Sequence, residues 1–425
     1  MNIYDTIIVG AGAAGLYCAA RMQPENGRTV LLLEKTGRTG TKLLMSGSGQ
    51  CNLTHGGDIK DFLTHYGEKG KRIRTVLYAH NNQAVCDFFR ELNVTLTERE
   101  DGKIFPASMD AHEVRDALLD AARRKGVCLQ TDADVSVIEP LPAGSADSAD
   151  SGLSAGPRYR IFAMDGKYWY CRNLIIACGG CSYPATGSDG SIFPVLQRDL
   201  NLEIVPPVPA LTPVFIENYQ FADLSGISFQ NAEVTISPGT KEARRFAGDL
   251  LLTHRNLSRP VILNHSRFMK PGIKLSVNFV CPHTSDSITA HMKKAFHGNQ
   301  KTIEHWLSAE YGLPKRFCEV ICSQAGLSGR KVSTLSGGDM KTIADSLAAH
   351  ICTVSGLGGF RQAMVTAGGV SLDEITMKTM ESKKYPGLYF TGEVLDVDGD
   401  TGGYNLQFAF ASAAAAAKAV SCNTL

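Results

Sequence analysis

The sequence has almost no surplus of either charge: 43 Lys and Arg stand against 42 Asp and Glu, a formal net charge of +1. Such a balance gives no long-range field to gather nucleic acid or an anionic membrane; only a local basic patch would do so. Long apolar runs are missing too. None reaches the ~18 residues of a spanning helix, and the run Thr6–Val9 reads as a buried strand rather than a signal core. A soluble, unexported, cytoplasmic protein is expected, with neither membrane nor nucleic acid as partner. The 12 cysteines lack the short, regular spacing of a disulfide framework and should stay reduced in the cytosol. Cys178-Gly-Gly-Cys181 has the spacing of a redox pair, and Cys318 with Cys322 lies one helical turn apart, like half a metal site. No second pair completes four ligands, so no metal is expected. No repeat of about 20 to 50 residues is visible.

What is present is an alternation of strands and helices. At 425 residues and 44% hydrophobic, the chain exceeds the ~250 to 300 residues of a single core, which predicts two units. Asp5–Val9 reads as a strand, Ala13–Met22 as an Ala-rich helix, 24–28 as a turn and Thr29–Leu33 as a second strand, together one βαβ unit. Helices follow over Ala84–Leu92 and Ala111–Lys125, the second opened by Asp110 and Glu113 as a capping box and closed at Gly126. Val127–Thr131 resumes as strand. Residues 143–156 are poor in apolar bulk, so a mobile loop is expected between strands Asp134–Glu139 and Tyr159–Ala163, with a further strand at Leu174–Ala177. At Pro206–Pro209 helical spacing gives way to short strand-like runs: Val214–Glu217, Ala232–Ile236, Asp249–Thr253 and Lys274–Val280. Three amphipathic segments, Asp286–Phe296, Lys301–Tyr311 and Pro314–Gln324, then suggest a small helical bundle. From about Arg361 the first domain resumes with a strand at Gly387–Thr391 and an Ala-rich helix at Asn405–Val420.

Gly10-Ala-Gly12-Ala-Ala-Gly15 follows the first strand and opens the first helix. Its glycines suit a tight turn, close approach of a pyrophosphate, and helix-on-strand packing, with the helix N-terminus facing the phosphates. Glu34 ends the second strand nineteen residues after Gly15, where a carboxylate accepts both hydroxyls of an adenosine ribose; an acid there argues against a 2′-phosphate. The other end of the chain decides between FAD and NAD. Tyr389-Phe-Thr-Gly392-Glu393 leaves a strand, and Asp396 through Gly402-Gly403-Tyr404-Asn405 leads into a helix. Reducing a flavin places negative charge at N1 and the C2 carbonyl oxygen, and a helix N-terminus with glycine-bared amides stabilises it. Gly402, Gly403, Tyr404 and Asn405 suit that task, with Glu393 or Asp396 toward the ribityl and pyrophosphate end.

Four runs carry a wider likeness: Lys42-Leu-Leu-Met-Ser-Gly-Ser48-Gly-Gln50-Cys51-Asn52-Leu-Thr54, Gly102–Pro106, Ile176-Ala-Cys178-Gly179-Gly180-Cys-Ser-Tyr183-Pro184, and Gly387–Gly399 with Thr401–Gln407. Over nearly the whole chain the sequence resembles the BaiN-like, aminoacetone-oxidase-like family of NAD(P)/FAD-dependent oxidoreductases. The resemblance implies an α/β fold: a Rossmann-like, glutathione-reductase-like FAD/NAD(P)-binding domain of residues 1–205 and 361–425. An inserted domain of residues 206–360 interrupts it, with a β-barrel over 206–282 and 328–360 and a helical subdomain over 283–327. The resemblance also implies that Gly12, Ala13, Ala14, Gly15, Glu34, Lys35, Lys42, Val135, Gly392, Glu393, Gly403 and Asn405 contact FAD, with Cys51 and Asn52 beside it. Gly10, Gly179, Asp396, Gly402 and Tyr404 complete the expected cofactor set. The chain departs where family members carry Gly at Ser48, Arg at Gln50 and Gly residues within Thr253–Pro260, positions on the substrate and nicotinamide side.

The expected activity is oxidoreduction of a small or medium organic molecule through flavin N5. NAD(P)H is the expected electron donor, visiting the cleft transiently because no second Gly-x-Gly-x-x-Gly marks a nicotinamide domain. Cys51, His55, Tyr183 and His254 are candidate proton donors, none of them singled out, so the catalytic residue stays unassigned. The clusters Lys69–Arg74 and Lys241–Arg245 read as solvated faces more readily than as phosphate sites. Two other readings stand beside this one: a flavin-dependent RNA-modifying protein, whose mark would be a basic surplus, and a flavin-bearing sensor of low turnover.

Overall fold

The computed structural model describes residues 3–22, 28–142 and 156–422. Apart from their last residues, the turn expected at 24–28 and the loop expected at 143–156 lie outside the described residues. The chain divides into two compact units, Met1–Pro209 with Ala363–Leu425, and Ala210–Gln362.

The first unit is built on a nine-stranded sheet with a parallel centre. Strand Ile3–Val9 lies between Val30–Leu33 and Tyr168–Ile176, with Cys128–Gln130 beyond the former and Leu388–Phe390 beyond the latter. Ile7, Ile8, Leu32, Leu33, Ile175 and Ile176 are at most 1% exposed, the unbroken apolar run of a sheet covered on both faces. Register aligns Val9 with Leu33 and Ile176, and Ile176 with Phe390. The Gly10 turn, Glu34, Ala177–Gly180 and Thr391–Glu393 therefore leave the sheet along one edge. Helix Ala13–Arg21 packs against the C-terminal helix Tyr404–Cys422, where Tyr17 stacks on Phe410 at 4.6 Å.

A buried polar chain fixes that C-terminal helix. The Thr54 hydroxyl donates to Gln407 Oε1 at 2.7 Å, Gln407 Nε2 donates to the His80 carbonyl at 2.9 Å, and His80 Nε2 lies 2.6 Å from the Tyr17 hydroxyl. Thr54, Gln407 and Tyr17 are fully buried. Burial pushes His80 down to about 4, so its ring is neutral at pH 7 and Nε2 accepts from the phenol.

In the second unit six strands close an antiparallel barrel: Val214–Ile216, Asn256–Ser258, Arg244–Leu252, Ser228–Ile236, Lys274–Asn278 and His350–Leu357. Val234, Leu250, Leu252, Leu275, Val277 and Val354 are among its buried apolar residues, with Ile262 of the short helix Pro260–Leu263. Helices Ser285–Ala295, Ile303–Tyr311, Lys315–Gln324 and Gly337–Ala348 lie between the last two strands in sequence.

Several sequence expectations need correction. The stretch 328–360, expected as barrel, is half helix: Ser336 caps Gly337–Ala348 through a reciprocal box with Asp339, and only His350–Leu357 joins the barrel. Strand Ile204–Ala210 pairs with Val365–Val370 in a separate two-stranded sheet and takes no part in the barrel. The strand expected at Leu174–Ala177 runs Tyr168–Ile176. Arg172 and Asn173 break the apolar pattern because both are used on Asp5, the first by an ion pair and the second by a bond to its carbonyl at 3.2 Å. Asp110 caps its helix by accepting from the His112 amide, while Glu113 is drawn to the Ser108 hydroxyl, so no capping box forms.

Two outcomes follow from the polar chain. Gln407→Leu orphans the Thr54 hydroxyl and the His80 carbonyl and should lower unfolding stability by about 2–5 kcal/mol in urea titrations, with unchanged secondary structure. The unfolded chain protonates His80 at its ordinary 6.5, the folded one only at about 4, so the contribution is whole above pH 6.5 and is lost as pH falls between those values. The urea midpoint should drop across that window less steeply in His80→Gln than in the wild type; equal slopes would exclude His80 as a source of acid sensitivity.

Candidate functional site

The three motif glycines have three different surroundings. Gly10 has φ +102, and a Cβ there would lie 2.6 Å from the Ala177 carbonyl oxygen; at Gly15 it would lie 1.8 Å from that of Gly10. Gly12 faces open space, with nothing within 4 Å of a Cβ. Turn and helix thus pack tightly on either side of one half-buried position that faces open space, the N-cap of helix Ala13–Arg21, which has no side-chain cap. Unsatisfied first-turn amides of Ala13, Ala14 and Gly15 with the positive end of the helix dipole are suited to a phosphate. Glu34, 8% exposed, accepts from the Ala11 amide through Oε2 and from the Thr36 amide and hydroxyl through Oε1, all at 2.9 Å. A carboxylate offers about four acceptor positions, so one remains for a ribose hydroxyl.

The far end of the chain meets this turn. Gly392, φ +73, presses on Ala14, whose Cβ would be 2.9 Å from an added one. Glu393 pairs with Lys42 at 2.6 Å and accepts from the Thr366 amide at 2.7 Å. Asp396 accepts from the Gly368 amide at 2.9 Å and pairs with Lys69, which also lies 3.5 Å from Asp398. Gly403, φ +98, runs so close to Thr54 that a Cβ would lie 2.6 Å from its backbone, which leaves glycine the only residue that fits. Gly402 has φ +125. The Tyr404 ring is stacked between His65 at 3.9 Å and His55 at 5.4 Å. Asn405 spends its side chain on the preceding loop, accepting from Gly399 N and donating to the Gly399 and Asp400 carbonyls. What it offers a ligand is its backbone amide in the first helical turn.

Cys51, Asn52, Val135 and Gly179 occupy the same unit. Cys51 is fully buried at φ +59, and burial pushes its thiol up to about 12, so it is no thiolate nucleophile. Asn52 Oδ1 and Thr391 Oγ1 are buried without a hydrogen-bond partner. Val135 is buried at the start of strand Val135–Pro140, and Gly179, φ +74, abuts Ser188. Lys35 lies at the sheet edge, paired with Asp189 at 2.7 Å and Asp134 at 3.4 Å. An open glycine turn at one helix N-terminus, a glycine-bared second helix N-terminus and two orphaned buried oxygens fit a dinucleotide joined to a polar ring, and so fit FAD.

The other candidates are less poised. His55 places Nδ1 3.0 Å from the Gly56 carbonyl and Nε2 2.9 Å from that of Asp101. Tyr183 is half-buried at φ +56. His254 stands exposed in the second unit at the tip of the Thr253–Asn256 hairpin. Cys178 and Cys181 are free thiols raised by burial, Cys178 to about 12; Cys318 and Cys322 are free and buried in one helix. Among the described residues no group of three potential metal ligands occurs.

Ser48, at φ +59, and Arg259, at φ +80, keep left-handed backbone without glycine, while Gln50 accepts from Arg99 at 2.7 Å. Lys69, Thr366 and Gln407 were not foreseen as site residues. Asp396-Val-Asp398 could have pointed to Lys69, because two sequestered acids call for a cation.

A nucleotide end held at one helix N-terminus and a redox ring at another is the division of labour in a FAD-dependent oxidoreductase, and the chain is of that class. The model of the HI0933-like protein Rossmann domain matches residues 4–419, and the chain belongs to that family. Two relatives named ribosomal RNA dihydrouridine synthase are similar to it. The Haemophilus influenzae protein is 30% identical over 98% of both chains, and the Escherichia coli protein 29% identical over 98% of both. A 3-dehydro-bile acid delta(4,6)-reductase of Clostridium scindens is 28% identical over 97% of this chain and 98% of its own. No helix among the described residues is long and apolar enough to cross a membrane.

The glycine surroundings separate binding from folding. Gly12→Val should lower stability by only ~1 kcal/mol yet cut bound flavin about tenfold in visible absorbance, because no protein atom approaches that position and a pyrophosphate would. Gly15→Val should prevent folding, measured as loss of the thermal transition. Equal flavin content in Gly12→Val and wild type would remove the turn from the cofactor site.

Proposed function

We propose that the protein is an NAD(P)H-linked reductase of a carbon–carbon double bond conjugated to a carbonyl. The observation that carries this is the glycine-bared N-terminus of the Tyr404–Cys422 helix, whose Ala409 abuts the same Gly392 turn that presses on Ala14 beside the Gly10–Gly15 motif. The two activities in the relatives' names, dihydrouridine synthesis and bile-acid delta(4,6)-reduction, are each the addition of two hydrogens across such a bond.

Bound FAD supplies the two-electron step, a hydride taken from NAD(P)H and given to the electron-poor carbon of the double bond. The chain's part is binding and electrostatics. Gly12–Gly15 amides would hold the pyrophosphate and Glu34 the adenosine ribose. The amides of Gly403, Tyr404 and Asn405 would hold the negative charge of the reduced ring, and Asn52 and Thr391 would donate or accept at its polar edge. The Lys42–Glu393 and Lys69–Asp396 pairs lock segments that would line the ring. A proton must join the neighbouring carbon. The Cys51 thiol keeps its proton at neutral pH and both ring nitrogens of His55 face backbone carbonyls; no side chain is assigned to that step.

A second reading, that the double bond belongs to a uracil in RNA, is favoured by the charge distribution. The near-neutral total conceals opposite surpluses: Ala210–Gln362 carries 17 Lys and Arg against 11 Asp and Glu, the rest of the chain 26 against 31. The inserted unit therefore has the local basic surplus that the whole chain lacks.

Anaerobic titration tests the proposal. Yellow holoprotein should bleach with NADH or NADPH, and the colour should return on adding a steroid 4-en-3-one or uridine-containing RNA. Colour that persists with both nicotinamides refutes the NAD(P)H link; bleached protein that neither acceptor reoxidises refutes double-bond reduction.

A further inference from the structure

The basic surplus of the second unit is concentrated in one stretch. Between Ser237 and Lys274 eight Lys and Arg stand against two acids, Glu242 and Asp249. This stretch contributes the hairpin preceding strand Arg244–Leu252, that strand itself, and the loop entering strand Lys274–Asn278, whose Lys274 carbonyl accepts from the Ser237 amide at 2.9 Å. Lys241, Arg244, Arg245, Lys270 and Lys274 are all exposed.

Flat groups are interleaved with these cations. His265 stacks on Phe246 at 3.5 Å and 14°, Phe246 lies parallel to Phe268 at 6.3 Å and 6°, and the Arg244 guanidinium sits 4.1 Å from the Phe268 centroid. Phe268 is 37% exposed although it is a large apolar side chain. The series runs from a half-buried imidazole outward to an exposed guanidinium. A guanidinium over an aromatic ring presents its second face as a stacking plane, and its N–H groups remain free to meet phosphate. Stacking planes set among cations are how proteins hold unpaired nucleotides, since every base has a π-face and every linkage a charge. An anionic lipid surface would meet the cations but has no use for parallel planes.

We infer that this barrel rim, centred on Arg244 and Phe268, is an RNA-binding surface that stacks an unpaired nucleobase on the Arg244–Phe268 pair. The inference rests on the second reading of the function, in which RNA carries the reducible base.

Fluorescence anisotropy of the full-length holoprotein with labelled oligouridylate decides it. Wild type should bind with a Kd that weakens steeply as salt rises. Phe268→Ala should weaken binding about tenfold with a similar salt slope, as loss of one stacked base. Arg244→Gln should weaken it and also flatten the slope. Flavin content and bleaching by NAD(P)H should stay at wild-type values in both variants, which shows that they fold. Variants that bind oligouridylate as wild type does would overturn the surface while leaving an RNA substrate standing. No oligouridylate binding by wild type, together with turnover of a steroid enone, would overturn both. Equal binding to vesicles of anionic phospholipid, unaffected by Phe268→Ala, would assign the rim to a membrane instead and also overturn it.

Discussion

One buried glutamine holds the cofactor unit together across most of its sequence. Gln407 joins Thr54 to the carbonyl of His80, whose ring accepts from Tyr17, so four segments far apart in the chain meet in a single buried network. Every member is satisfied, and a network of this kind specifies one arrangement because any other strands a polar atom in the core. Its effect is positional. It sets the first turn of the C-terminal helix against Thr54, where only glycine at 403 leaves room, and so determines where that helix points its amides.

The acids at the site act first on the protein itself. Glu34 ties down the Ala11 amide, Glu393 the Thr366 amide and Lys42, and Asp396 the Gly368 amide and Lys69. Each is a carboxylate held by charge-assisted bonds, the stronger kind, so the walls of the site are stiff before anything binds. Stiffness lowers the ordering cost that a large, flexible cofactor would otherwise impose. Lys35 differs in pairing with two partly exposed acids, which screening by water makes weak.

Much of this was legible in the chain. The Gly10–Gly15 turn, Glu34 and the Gly402–Gly403 helix start have local signatures, and the parallel sheet follows from apolar runs buried on both faces. Other features rest on pairings that no local pattern shows. The Tyr168–Ile176 strand was cut short because Arg172 and Asn173 look like an interruption until Asp5 is placed beside them. Helix Gly337–Ala348 was missed because Gly337-Gly338 reads as loop, although Ser336 and Asp339 frame it as a cap. Lys69 read as part of a solvated face because its partners, Asp396 and Asp398, stand more than three hundred residues away. The total charge is a different case: a sum over the chain averages two units of opposite sign.

The two-stranded sheet of Ile204–Ala210 and Val365–Val370 has a wider meaning. The chain departs from the cofactor unit along one strand and returns along its neighbour, so the ends of the intervening 153 residues are clasped together whatever those residues fold into. A clasp of this kind makes the insertion a cassette. Its content can be lengthened, recharged or exchanged between lineages while the sheet registers that position the cofactor edge stay as they are. A redox engine built this way can keep its cofactor edge while what is carried between two adjoining strands changes.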